Sequence, residues 1–278
     1  MPTFNICIIR PPGYVFSSIF LELAELIAYS LDDNGFAAQI RENYLDPSGR
    51  NLLIGCHLID ASLTDQIPAD TIILNTEQIG GVNEEWQQRV LHYLRTFPSW
   101  DYSWENIARL KDLGIHTTKF FRIGYHPRLQ RIPADKEKDI DVLFYGSMSE
   151  PRAAILDGLE RRSARVQKLF GVFGQDRDAW IARSKLVLNL HFYKTKTFEV
   201  VRVHYLMNNA KAIVSQFDES TKIESGYSDG LMLAPYEEVV DRCFAALGSK
   251  TLLKSCEEKS LETIMRIDAA KIMGELLA

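Results

Sequence analysis

Apolar and polar positions along the chain switch repeatedly between two periods. Short apolar runs at 5–10 (NICIIR), 36–40 (FAAQI), 52–56 (LLIGC), 71–75 (TIILN) and 118–124 (TKFFRIG) predict strands. Between them, 17–35, 83–97 and 103–114 carry apolar residues at helical spacing. Gly35 and Gly114 stand where helices stop, and Ser103 where one starts. Strands that alternate with helices predict a mainly parallel sheet covered on both faces. The stretch 125–139 (YHPRLQRIPADKEKD) has two prolines, many charges and little apolar period, and reads as an interdomain linker. The alternation then restarts. Strands are predicted at 140–146, 185–192, 211–216 and 230–235, a strand with a glycine-rich turn at 165–174, and helices at 149–162, 176–184, 197–209, 236–249 and 250–278. The reading is α/β, with two βα-repeated halves on either side of one linker.

Composition changes this picture little. The 278 residues are 46% hydrophobic and 25% charged, as in ordinary globular proteins. A net charge of −5, with both signs mixed along the chain, excludes a basic coat for nucleic acid. Cys7, Cys56, Cys243 and Cys256 form no CxxC pair, which predicts reduced thiols in a cytoplasmic protein and no zinc site. The N-terminus lacks the basic-then-apolar pattern of a signal peptide. No run reaches the roughly 18 apolar residues of a membrane span. Attachment to a membrane surface, and the oligomeric state, stay open.

Candidate chemistry gathers where strands run into helices, because ligands of open α/β sheets bind at the carboxyl ends of the strands. In YGSMSEPR, Gly146 ends a strand, Ser147 follows in a polar loop, and a helix then starts whose exposed amides, with Arg152, suit an anion such as a phosphate. A capped turn with a solvent-facing arginine is the alternative. In FGVFGQDRD, Gly171 and Gly174 permit a close backbone approach or a left-handed turn. In LVLNLHFYK, Asn189 and His191 share one face of a strand, with Lys194 and Lys196 just beyond. In TKTFEVVRVHYL, Glu199 and Arg202 are three apart on one helix face. The carboxylate of Glu199 suits a ribose diol and the fork of Arg202 a phosphate; a structural ion pair is the alternative. His204 lies about 140° around the helix from Glu199 and reads as a packed ring.

These segments, DVLFYGSMSEPRAAIL, FGVFGQDRD, SKLVLNLHFYKTKTFEVVRVHYLMNNAKAIVSQ and DGLMLAPYEEVVDR, together resemble the donor-binding half of GT-B glycosyltransferases with a group 1 type C-terminal domain. The likeness covers about residues 139–248; the first half matches only in its α/β pattern. It implies two Rossmann-like domains facing across a cleft: an acceptor domain at 1–125, a nucleotide-sugar donor domain at 139–256, and a helix at 257–278 crossing back to the first. It implies transfer of a hexosyl group from a nucleotide-diphosphate sugar to a glycan, lipid-linked or small-molecule acceptor, with no metal and no further cofactor. Gly146, Ser147, Arg152, Gly174, Asn189, His191, Lys194, Glu199 and Arg202 become the donor-side candidates. The family often carries two glutamates eight positions apart; here Glu199 is flanked at that distance by His191 and Met207. An inverting enzyme also needs a base from the first half, and Glu77, Asp101 and His57 follow strands there. Each has a structural alternative, as a helix cap or a packed ring. Residues 10–18 (RPPGYVFSS) fit a flexible loop with Gly13 as hinge. A nucleotide-sugar epimerase and a non-catalytic nucleotide-sugar-binding module are the competing readings.

Overall fold

A computed structural model describes residues 3–81, 83–133, 137–192, 197–224 and 226–278. The chain divides into two compact units, one formed by Met1–Ile123 with Asp268–Ala278, the other by Gly124–Ile267. Each is a parallel sheet with helices, and the inner strands are buried in near-continuous runs, as sheets covered on both faces require.

The sheet of unit one holds β1 (Thr3–Ile8), β2 (Ala37–Glu42), β3 (Arg50–Ile54), β4 (Ile72–Asn75), β5 (Ser99–Asp101) and β6 (Lys119–Phe120), in the order β2-β1-β3-β4-β5-β6. Helix α1 (Leu21–Asp33) joins β1 to β2, α2 (Glu84–Thr96) joins β4 to β5, and α3 (Trp104–Asp112) joins β5 to β6. Between β3 and β4 the chain makes only two 3-10 turns, Cys56–Leu58 and Ala61–Gln66. Leu53 and Ile73 of the sheet pack with Val90, Leu94 and Leu110 of α2 and α3.

The sheet of unit two holds β7 (Ile140–Tyr145), β8 (Val166–Leu169), β9 (Ser184–Asn189), β10 (Ile213–Gln216) and β11 (Met232–Ala234), in the order β11-β10-β9-β7-β8. Its crossovers are α4 (Glu150–Arg161), α5 (Gly174–Arg183) and α6 (Val200–Asn208); α7 (Val239–Leu247) and α8 (Lys250–Met265) follow β11. Val142, Phe144, Leu186 and Leu188 meet Ile155 and Leu159 of α4 and Cys243 of α7 in one apolar cluster.

Three expectations change. The strand expected at 118–124 shrinks to Lys119–Phe120, and a strand at Ser99–Asp101 appears that three residues are too few to announce. The C-terminal stretch breaks between α8 and α9 (Ala269–Leu277), where Asp268 caps the second helix by accepting from the Lys271 N–H. The linker reading fails for its first half. Asn208 accepts from the His126 N–H at 3.0 Å, and Asn209 from the N–H groups of both Arg131 and Ile132 at 2.8 Å. Two asparagines at the end of α6 thus bind this segment into unit two, with Leu129 fully buried beneath it. Helix α9 belongs to unit one, where Asn34 donates to the Ala270 carbonyl at 2.8 Å. Among the described residues no helix is long and apolar enough to cross a membrane. Burial pushes the Cys7 thiol up to about 11 and those of Cys56 and Cys243 to about 12, which leaves them inert at neutral pH.

Candidate active site

Both sheets share one strand plan. In chain order within each unit the strands run 2-1-3-4-5, with a sixth added at the far edge in unit one, so the chain reverses direction between the first and third strands. At that reversal the loops diverge and leave a crevice outside the carboxyl ends. In unit two the reversal lies between β7 and β9, and in unit one between β1 and β3.

At the reversal in unit two stand the loop after β7 and, among the described residues between β9 and α6, 190–192 and 197–199. Glu199 is the residue before α6, and its carboxylate is shared by two guanidinium groups: Oε1 lies 2.7 Å from Arg152 Nη2 and Oε2 lies 2.8 Å from Arg202 Nη2. Its side chain keeps 21% of its surface exposed, against 3% for Arg152 and 12% for Arg202. The carboxylate is thus aimed by the arginines and still open to solvent.

Arg152 differs from the reading as a phosphate ligand or a solvent-facing side chain. Its Nε donates to the His191 carbonyl at 3.2 Å, Nη1 to the Ser147 carbonyl at 2.8 Å, and Nη2 to the Leu190 carbonyl and to Glu199. The group lies between the rings of Phe144 and Phe192, 5.2 and 5.1 Å from their centroids. It is spent on protein acceptors and pins the two loops and the carboxylate together. Arg202 has more to give. It donates to Glu199 and, at 3.4 Å, to Asn189 Oδ1, two of the five N–H groups of a guanidinium. It lies 5.1 Å from the Tyr145 ring centroid.

Gly146 has a concrete role. Its φ is +133°, and a Cβ built on it meets Arg202 Nη2 at 2.9 Å, so the bare backbone makes room for the guanidinium. Gly174, at φ +57°, has open space where a Cβ would stand, so its glycine serves the turn into α5. Asn189 is buried and turns its amide to Ser215 Oγ at 3.0 Å, acting as a brace for Arg202. His191 is also buried; its Nε2 meets Thr221 Oγ1 at 3.1 Å and its N–H donates to Gln216. Ser147 is exposed and contributes its carbonyl to Arg152. Lys194 and Lys196 lie outside the described residues. Among the described residues the shielded hydroxyls of Ser149 and Thr197 find no hydrogen-bond partner, and buried polar groups are rarely left that way without a ligand or water to meet them.

In unit one the three candidate bases separate by burial. Asp101 has no exposed surface. It accepts from Asn75 Nδ2 at 2.6 Å, Asn106 Nδ2 at 3.1 Å and the Ser103 N–H at 2.7 Å. Burial pushes its carboxyl up to about 7 against the pull of these donors. No acceptor reaches such a group. The same two asparagines donate to the Glu77 carbonyl, each at 2.9 Å, so Asp101 positions the backbone that carries Glu77. Asn75 and Asn106 had no signal in the sequence beyond standing at a strand end and in the first turn of a helix.

His57 is 2% exposed, 4.6 Å from the Trp86 ring and against Phe20. Burial, reinforced by the charge of Arg89, lowers it to about 4, so it is neutral at physiological pH. Its Nδ1 lies 3.4 Å from Glu77 Oε1. Glu77 follows β4 and keeps 14% of its side chain exposed, and burial raises its carboxyl to about 7. The Tyr14 hydroxyl, in the loop after β1, is raised by burial and by the charge of Glu77. A carboxyl poised near neutrality, backed by a neutral imidazole at the reversal point, is equipped for general-base work. Among the described residues no group of three or more His, Cys, Asp or Glu side chains is arranged to hold a metal ion.

The architecture has known counterparts. Over the whole chain it superposes on sucrose-phosphate synthase of Thermosynechococcus elongatus with a TM-score of 0.62 at 9% identity, covering 98% of that chain. T4 phage BGT in complex with UDP and Mn2+ gives 0.62 at 13% identity, with 99% of this chain and 98% of that one covered. Anabaena HepE in complex with UDP and glucose gives 0.59 at 12%, with 100% and 98% covered. The fold is GT-B. In sequence, the chain is 28% identical over 228 residues to uncharacterized protein L140 of Acanthamoeba polyphaga mimivirus, covering 80% of this chain and 72% of the relative. It is 30% identical over 154 residues to L137 of the same virus, spanning only 20% of that longer protein. No family model matches the chain.

Proposed function

We propose that the protein is a metal-independent glycosyltransferase that takes a nucleotide-diphosphate sugar on unit two and activates an acceptor hydroxyl on unit one. The observation that carries this reading is Glu199, a carboxylate held between two arginines at the strand-order reversal yet still open to solvent. Two carboxylate oxygens accept the two hydroxyls of a ribose, and the unspent N–H groups of Arg202 suit the diphosphate. The presence of UDP in complexes of two proteins with this fold supports a nucleotide as the ligand class.

In the reaction, Glu77 takes the proton of the acceptor hydroxyl. The acceptor oxygen forms a bond to the anomeric carbon as the bond from that carbon to the diphosphate oxygen breaks. The electron pair leaves on the diphosphate, whose new charge meets Arg202 and the N-terminal amides of α6. A base on the acceptor side makes the course inverting. His57 supports Glu77, and Asp101 acts through Asn75 and Asn106.

The test is a thermal-shift screen of UDP, GDP and TDP, followed by titration of any hit against Glu199→Ala. A nucleotide should raise the wild-type melting temperature, and the substitution should abolish that rise while EDTA leaves it intact. No shift with any nucleotide at saturation defeats the donor-site assignment.

A further inference from the structure

At the outer end of the carboxyl edge of unit one stands an aromatic pair that the donor and base assignments leave unused. Trp104 is 54% exposed, an unusual amount for the largest side chain. It is the first residue of α3, fixed by the Ser103 cap, whose hydroxyl accepts from the Asn106 N–H. Its indole stacks on Phe120 with ring centroids 4.0 Å apart and planes within 18°. Phe120 pairs in register with Asp101, the last residue of β5, so the stack sits at the carboxyl ends of the strands, the same edge as Glu77. One indole face is backed by Phe120, which leaves the other as a flat, rigid surface.

The surroundings say what kind of occupant fits. One and two turns along α3 from Trp104 stand Ala108 and Lys111, both exposed, so no stripe of large apolar side chains continues from it as a docked helix or protein would need. An isolated aromatic face in polar surroundings matches a pyranose ring, whose C–H groups carry partial positive charge toward the negative π face. Distance sets the number of rings. Glu77 follows β4 and the stack lies at β6, two strand spacings away, or about 10 Å, which is about two pyranose rings. Tyr102 lies between, its hydroxyl bonded to the Thr76 carbonyl at 2.9 Å, tying the loop after β5 to that after β4.

We infer that the Trp104–Phe120 stack is a distal acceptor subsite, and that the acceptor is an oligosaccharide whose ring about two units from the reacting sugar rests on the indole. This rests on the glycosyltransferase reading and narrows its acceptor class.

Saturation-transfer difference NMR, which observes the ligand and not the indole, tests it. The probes are linear trisaccharides of hexoses, of N-acetylhexosamines and of hexuronates, each beside its monosaccharide, with wild type, Trp104→Ala and Trp104→Phe. At least one trisaccharide should bind wild type more tightly than its monosaccharide. Trp104→Ala should weaken that trisaccharide about tenfold and leave the monosaccharide unchanged, while Trp104→Phe keeps most of the affinity. Absence of binding by every trisaccharide, or equal binding by Trp104→Ala, overturns the subsite. The nucleotide thermal shift in the same samples reports on unit two alone: a shift without glycan binding removes the subsite and keeps the donor site. Glycan binding without a shift does the reverse.

Discussion

Replacing Arg152 with methionine separates two pictures of unit two. If Arg152 were a diphosphate ligand, Arg152→Met would weaken nucleotide binding and spare the fold. The geometry says otherwise. The side chain is 3% exposed and holds carbonyls of Ser147, Leu190 and His191 as well as one oxygen of Glu199. Methionine fills much of the volume between Phe144 and Phe192 but supplies no donor. Each buried acceptor left bare costs about 1–3 kcal/mol, with partial recovery through water. Removing one partner of a buried ion pair costs about 3–5 kcal/mol. These overlap, since both count the loss of the same guanidinium, so about 3 kcal/mol is a lower working figure for the whole change. For a unit of this size about 3 kcal/mol lowers the melting temperature by roughly 10 °C. Differential scanning calorimetry without ligand reads this directly. Arg152→Lys should recover little, because one ammonium cannot span acceptors that lie in several directions. A ligand-free Arg152→Met protein melting within about 2 °C of wild type would refute the positioning role.

Three further outcomes follow from the same geometry. Gly146→Ala should fold but lose about tenfold in nucleotide affinity by isothermal titration, because the new methyl meets Arg202 Nη2 at 2.9 Å and the φ of +133° is strained for alanine; unchanged affinity removes Arg202 from the site. Transfer activity should rise with pH through about 7, since Glu77 works as the carboxylate and its raised value keeps it protonated below that; a flat profile from pH 5 to 8 contradicts its role as base. Glu77→Gln should lower turnover by about a hundredfold or more with little change in nucleotide binding, measured by coupled release of the diphosphate.

Element type was legible where the hydrophobic period ran long. The strand–helix alternation of unit two matched the observed β7 to α7 within a few residues, because its inner strands are buried on both faces and its helices are amphipathic. Glu199 and Arg202 were legible as a pair because three-residue spacing on a helix is a local relation. What escaped notice depends on residues far apart in the chain. Arg152 looked solvent-facing because its acceptor at Leu190 lies 38 positions on. Asp101 looked like Glu77, another carboxylate after a strand, until Asn75 and Asn106 were seen to enclose it. The Trp104–Phe120 stack joins a helix start to an edge strand of two residues, which no periodicity announces.

Helix α9 has a bearing on how the molecule comes to be made. Unit two is one unbroken stretch, whereas unit one takes back residues 268–278 and seats them on α1. As the ribosome emits the polypeptide from its amino end, the stretch 124–267 has all its own parts before unit one has received its closing helix. The half that is translated earlier is therefore completed later, and a nascent chain halted short of residue 268 exposes the apolar flank of α1 that Ala269 and Met273 would otherwise cover.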